Sequence, residues 1–246
     1  MSKVLSTFQH WFGGGKTAAV PLPRDFESAD IETWHAVSPF TMTSPERVFA
    51  LRSAVRYVVQ NGIPGDIVEC GVWKGGSMMA VARTLLELND TSRTLHLFDT
   101  FEGMPPPTAA DIDYAGEEAQ ARLHRSEKDA NVWAIAQLEQ VKRAVLGVGY
   151  DAGKVRFVQG RVEDTIPGEA PSTISLLRLD TDWYESTKHE LTHLFPRLSA
   201  GGVLIIDDYG HWQGARRATD EYFAENRIKL LLNRIDYTGR IGVKLG

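Results

Sequence analysis

A doubly wound, mostly parallel α/β sheet with a terminal antiparallel hairpin is the fold this 246-residue sequence predicts, on three observations. Short apolar runs (DIVEC, TLHLF, ISLLRL, GGVLII) are continuous rather than alternating, as strands buried on both faces are. Segments with helical apolar spacing separate them, which gives the βαβ rhythm. A last pair, KLLLNRID and RIGVKLG, meets across Tyr237, Thr238 and Gly239 and closes the sheet antiparallel.

Residues 1–44 hold a glycine run, two prolines in PLP and scattered aromatics, which predicts an irregular arm or lid beside one domain over 45–246. In SPERVFALRSAVRYVVQNG, Ser44 caps a helix and Pro45 takes its first position. Val48, Leu51, Val55 and Val58 form its apolar face, and Asn61-Gly62 stops it. DIVECG is the first strand, GGSMMAVARTLLEL the helix after it, TLHLFD the second strand and VRFVQG the third. Between the last two, the Pro- and acid-rich stretch 106–126 predicts a long functional loop. Val132, Ile135, Leu138, Val141 and Val145 then predict a helix. ISLLRLD and GGVLIID are strands four and five, each followed by a helical segment.

Composition narrows the partners. With 43% hydrophobic and 24% charged residues the chain can bury one sizeable core. A net charge of -5 and a pI near 5.8 argue against a nucleic-acid or anionic-membrane surface, so the expected partner is a small molecule. The single cysteine, Cys70, sits in an apolar run and reads as a core residue; one cysteine excludes an intrachain disulfide. No stretch resembles a signal peptide or a membrane span, which predicts a cytoplasmic protein.

Two strands end in acids: Asp180 and Asp182 follow the fourth, Asp207 and Asp208 the fifth. Open α/β sheets bind ligands at strand C-terminal ends. Carboxylates converging there repel one another unless a cation sits between them, and hard oxygen ligands favour Mg²⁺, Mn²⁺ or Ca²⁺ over zinc. The competing reading makes them helix caps and loop acids. Asp180 and Asp182 share a side only if the extended backbone continues past the strand; Asp207 and Asp208 converge only if it turns, for which Tyr209-Gly210 is suited. In such a site one acid can ligate a metal while another accepts a proton.

After the first strand, ECGVWKGGS (69–77) is a glycine-rich turn opening a helix, where backbone N–H groups face a ligand. A dinucleotide fingerprint needs a glycine where this chain has Trp73, so a pyrophosphate is disfavoured and a smaller nucleoside cofactor fits. Asp99, ending the second strand, stands where an acid accepts from ribose hydroxyls, and Glu163 stands near an adenine position. Together they point to S-adenosylmethionine.

The blocks ECGVWKGGS (69–77), FDTFEGMP (98–105), LDTDWYES (179–186) and IDDY (206–209) together resemble the macrocin O-methyltransferase family, whose members methylate sugar hydroxyls of macrolide and aminocoumarin antibiotics. The likeness spans roughly residues 40 to 240. It implies a class I methyltransferase fold and S-adenosylmethionine as donor. It also implies Mg²⁺ on Asp180, Asp207 and Asp208, Asp182 as catalytic base, and a homodimer. Cofactor contacts are implied at Glu69, Gly71, Ser77, Asp99, Thr100, Glu163 and Asp180, and at Thr43 in a covering segment, TMTS with Arg47. The acceptor is expected to be a sugar or glycoside hydroxyl. The alternatives are a catechol or phenol acceptor with the same cofactor and metal, and a catalytically silent nucleotide-binding module.

Other motifs carry less. His189-Glu190-Leu191-Thr192-His193 matches the H-E-x-x-H zinc signature, but its histidines lie nearly opposite an apolar face of Leu191, Leu194, Phe195 and Leu198 and have no evident third ligand. Gly13 to Thr17 ends like a phosphate-binding loop but lacks its first glycine and its strand. Trp183, Tyr184, His211 and Trp212 flank the aspartates as candidate acceptor-pocket walls.

Overall fold

The computed structural model describes residues 22–125 and 133–246. Seven strands form one sheet in the order β3-β2-β1-β4-β5-β7-β6. Strands β1 (Asp66–Cys70), β2 (Leu95–Asp99), β3 (Val155–Gln159), β4 (Ile174–Leu179) and β5 (Leu198–Ile206) run parallel. The antiparallel edge is β7 (Arg240–Val243) on β5, with β6 (Asn233–Arg234) outside it. The order reverses between β1 and β4, and there a doubly wound sheet opens its crevice.

Helices cover both faces. On one lie α1 (Ser28–Val37), α2 (Pro45–Gln60), α3 (Gly76–Glu87) and α5 (Leu138–Leu146), over a core that includes Val55, Leu85, Leu95 and Leu176. On the other, α6 (Val162–Thr165), α7 (Tyr184–Leu194) and α8 (Gln213–Glu225) accompany a core of Val68, Phe98, Leu177, Leu191 and Tyr222. Alternate residues of β1 and β4 serve the two cores, which is why those runs are apolar throughout. Among the described residues no helix is long and apolar enough to cross a membrane.

The structure alters three expectations. Residues 28–37, expected to be irregular, form α1, which is fastened by charge where apolar spacing is thin. Asp30, 3% exposed, pairs with Arg52 and Arg56, while fully buried Arg52 also reaches Glu87 and Thr33. The helix expected from Val132 begins at Leu138; Ile135 is exposed, and Val132 lies outside the described residues. In the terminal hairpin β6 keeps only two residues, and the preceding Leu230 and Leu232, outside the strand, pack partly buried against the core. Residues 106–118 form a loop as expected, whereas Ala119–Arg125 fold into the short helix α4, and residue 126 lies outside the described residues. The Gly13 to Thr17 run lies outside the described residues.

Candidate active site

Strand ends β1, β2, β4 and β5 surround a cavity of about 940 Å³ lined by Thr43, Gly71, Ser77, Asp99, Thr100, Glu163, Asp180, Asp182, Asp207 and Asp208. Of the residues expected to bind cofactor or metal, Glu69 is absent from its wall: fully buried, it lies one layer down against Arg178, at 2.7 Å.

The glycine turn is built from backbone. Gly71 has φ +82°, and the chain leaving β4 passes so close that a Cβ would stand 2.0 Å from the Asp180 carbonyl oxygen. Gly76 allows the segment after α1 to pass over the start of α3, where a Cβ would meet Phe40 and Thr41 at 2.7 Å. The Asp99 carboxylate accepts from Val72 N–H (2.6 Å), Trp73 N–H (2.9 Å) and Phe101 N–H (2.7 Å) and so holds the turn's shape. Trp73 itself adopts φ +48°, with the Lys74 ammonium 4.3 Å from its ring centre. Two buried polar atoms beside this wall, Thr43 Oγ1 and Trp73 Nε1, have no hydrogen-bond partner among the described residues. Both residues line the cavity, which suits a polar ligand lying between turn and covering segment.

The aspartate wall is built from charge. Extended backbone does not continue past β4: Trp183 N–H closes on Thr181 O at 2.8 Å and Asp182 takes φ +67°. That left-handed residue, not strand alternation, brings Asp182 to the cavity beside Asp180. The chain also turns after Ile206, so Asp207 and Asp208 both reach the cavity. Gly210 makes that turn possible, since a Cβ would stand 1.9 Å from Tyr237 O. One oxygen from each of Asp180, Asp207 and Asp208 lies within 4.8 Å of the other two, the metal-capable group found among the described residues.

Two arginines thread the acids. Arg178 reaches Glu69 and Asp180 at 2.7 Å and Asp207 at 2.6 Å; Arg47 pairs with Asp207 and, at 3.0 Å, with Asp236. Burial opposes ionisation of Asp207, but Arg178 and Arg47 together hold its carboxyl below the usual range. For its neighbours burial wins. Asp180 is pushed well up despite Arg178, Asp208 well up with Asp182 adding to the effect, Asp182 to about 7, and Glu69 to about 7. Six carboxylates, Asp236 among them, thus gather around two guanidiniums, and this surplus of acids with all-oxygen donors fits a hard divalent cation.

Sequence reasoning missed the roles of Arg178, Asp236 and Glu190. A lone arginine inside a buried strand was the readable signal for the first. Asp236 had none: it sits in the hairpin turn, and only the fold brings it to Ser44 Oγ at 2.8 Å and to Arg47. In the H-E-x-x-H run, His189 and His193 meet as tilted rings with centres 4.5 Å apart, while Glu190 turns inward, fully buried, to accept from Thr181 Oγ1 at 2.9 Å. The run therefore supports the 180–182 turn. Trp183, His211 and Trp212 line the cavity, the two tryptophans packed edge-on at 5.0 Å, whereas Tyr184 lies outside it under Arg217. His211 meets Tyr237 Oη at 2.8 Å, and burial drags its pKa down to about 4, keeping the ring neutral.

Residues 24–241 match the family model described as Macrocin-O-methyltransferase (TylF). The chain is 38% identical over 206 residues to the 8-demethyl-8-(2,3-dimethoxy-alpha-L-rhamnosyl)-tetracenomycin-C 4'-O-methyltransferase of Streptomyces olivaceus, covering 84% of this chain and 76% of that one. It is 34% identical over 200 residues to the Mycinamicin III 3''-O-methyltransferase of Micromonospora griseorubida, covering 81% and 76%. Among solved structures it resembles the O-methyltransferase NovP at TM-score 0.72 and 35% identity, covering 84% of this chain and 83% of NovP.

Proposed function

The chain belongs to the macrocin O-methyltransferase family and is an O-methyltransferase, and we propose that it moves a methyl group from S-adenosylmethionine to a sugar hydroxyl of a glycosylated natural product, with Mg²⁺ and Asp182. One observation carries this reading: Asp180, Asp207 and Asp208 converge within 4.8 Å beside Asp182, on the same cavity as the glycine turn. One relative is named for a rhamnosyl-tetracenomycin and the other for mycinamicin III, and the first of these supports the acceptor class.

In this reading the donor lies along the β1 and β2 ends. Gly71 and Ser77 give it backbone and helix-start contacts, Asp99 with Thr100 faces its ribose, Glu163 its adenine, and Thr43 covers it. Glu69 acts from beneath, by fixing Arg178 and through it Asp180. Asp180, Asp207 and Asp208 would hold Mg²⁺, which when bound acidifies a hydroxyl and orients it. The chain's own part is proton transfer and alignment. As the acceptor oxygen forms its bond to the methyl carbon and the carbon–sulfur bond breaks, the hydroxyl proton passes to the Asp182 carboxylate, leaving S-adenosylhomocysteine. Asp182 lines the same cavity wall as the three candidate ligands, so its carboxylate is in place for an acceptor hydroxyl held there. A cytoplasmic homodimer completes the reading, with light scattering as the check on the dimer.

The test is release of S-adenosylhomocysteine from S-adenosylmethionine and a rhamnosyl glycoside. Turnover should vanish with EDTA and return with Mg²⁺, and Asp182→Asn should lower kcat by about a thousandfold. Full turnover in EDTA, or an Asp182→Asn rate within tenfold of the parent, would contradict the assignment.

A further inference from the structure

His211 and Trp212 line the main cavity on one side and, on the other, a cleft of about 590 Å³ between the 109–114 loop and α8. The loop is anchored. Asp111, 1% exposed, accepts from Tyr184 N–H at 2.8 Å and Thr108 N–H at 2.7 Å, while Gln213 binds the carbonyls of Ile112 and Asp113 at 2.8 and 2.9 Å. Gly214 lets Asp111 in, since a Cβ there would lie 2.4 Å from its oxygen. On this fixed loop Tyr114 is 57% exposed, its ring 5.5 Å from His211 and 5.9 Å from Tyr237, both of which line the main cavity. A large aromatic is thus held in water at the junction of the two spaces.

The charge of the cleft limits what it takes. Arg216 faces Asp220 at 3.6 Å and Arg217 faces Glu221 at 3.0 Å, so its two cations are matched by two acids. A diphosphate gains no net attraction from such a lining, whereas a neutral ring system gains area and stacking.

Resting on the methyl-transfer reading above, we propose that this cleft is the aglycone subsite: the sugar enters the main cavity while its uncharged, ring-bearing aglycone lies across Tyr114 toward Tyr209.

Three probes carrying one sugar decide it: methyl α-L-rhamnoside, para-nitrophenyl α-L-rhamnoside and dTDP-L-rhamnose, compared by kcat/KM for the parent, Tyr114→Phe and Tyr114→Ala. The parent should favour the aryl over the methyl glycoside by about tenfold, mainly through KM. Tyr114→Phe should keep that preference, and Tyr114→Ala should erase it with the methyl glycoside rate unchanged. A preference surviving in Tyr114→Ala, or dTDP-L-rhamnose as the best acceptor, would overturn the subsite while leaving methyl transfer intact. No turnover of any probe would overturn the functional reading, and the subsite with it.

Discussion

The two halves of the cavity are made from different materials. At the β1 and β2 ends the wall is backbone: glycines crossed closely by other segments, and one aspartate whose oxygens hold three main-chain N–H groups. At the β4 and β5 ends the wall is charge: carboxylates from two turns threaded by Arg178 and Arg47, with Asp180 and Asp208 lifted by burial toward their neutral forms and Asp207 held ionised by the two arginines. A backbone wall is fixed by sterics and serves one shape. A charge wall is balanced by what occupies it, so its stability and its chemistry depend on cations.

The strongest way to break this contrast is at Arg178. Arg178→Leu leaves Glu69, Asp180 and Asp207 without their shared guanidinium, and removing one partner from a buried ionic cluster costs about 3–5 kcal/mol. Denaturant unfolding should show that loss. A near-neutral effect would mean that the acids neutralise themselves and the wall does not depend on charge.

On the other wall, Gly71→Ala should cost about 3 kcal/mol or more, because the methyl group meets the Asp180 carbonyl oxygen at 2.0 Å on a φ of +82°. A loss below about 1 kcal/mol by the same unfolding assay would show that β4 can back away from the turn.

These two positions also explain how far the sequence could be read. Gly71 and Asp99 announce themselves, because a glycine turn after an apolar strand and an acid at the next strand end are local signals. The four aspartates were readable for the same reason. What organises them was not: Arg47 lies 160 residues from Asp207, and Asp236 reaches Ser44 across 192. The left-handed turn at Asp182 lies beside the Thr181–Glu190 hydrogen bond, whose partners meet only once α7 has packed. Helix α1 escaped because Asp30 and Arg52 fasten it, and buried ion pairs leave no apolar period in the sequence.

A smaller effect sharpens the contrast from beneath. Thr181→Val removes the hydroxyl that Glu190 accepts, leaving a buried carboxyl oxygen unpaired, at about 1–2 kcal/mol. Since Thr181 lies between Asp180 and Asp182, kcat should fall about tenfold with KM for S-adenosylmethionine unchanged. An equal rise in KM would show that the two walls are mechanically one.

The division of the four aspartates is tested most directly by calorimetric titration of Mg²⁺ into the parent protein and the four single Asp→Asn variants. Asp180→Asn, Asp207→Asn and Asp208→Asn should each weaken binding by at least about tenfold, the scale of losing one charged ligand, while Asp182→Asn binds within a few-fold of the parent. Equal weakening by all four, or no Mg²⁺ binding by the parent, would contradict the account.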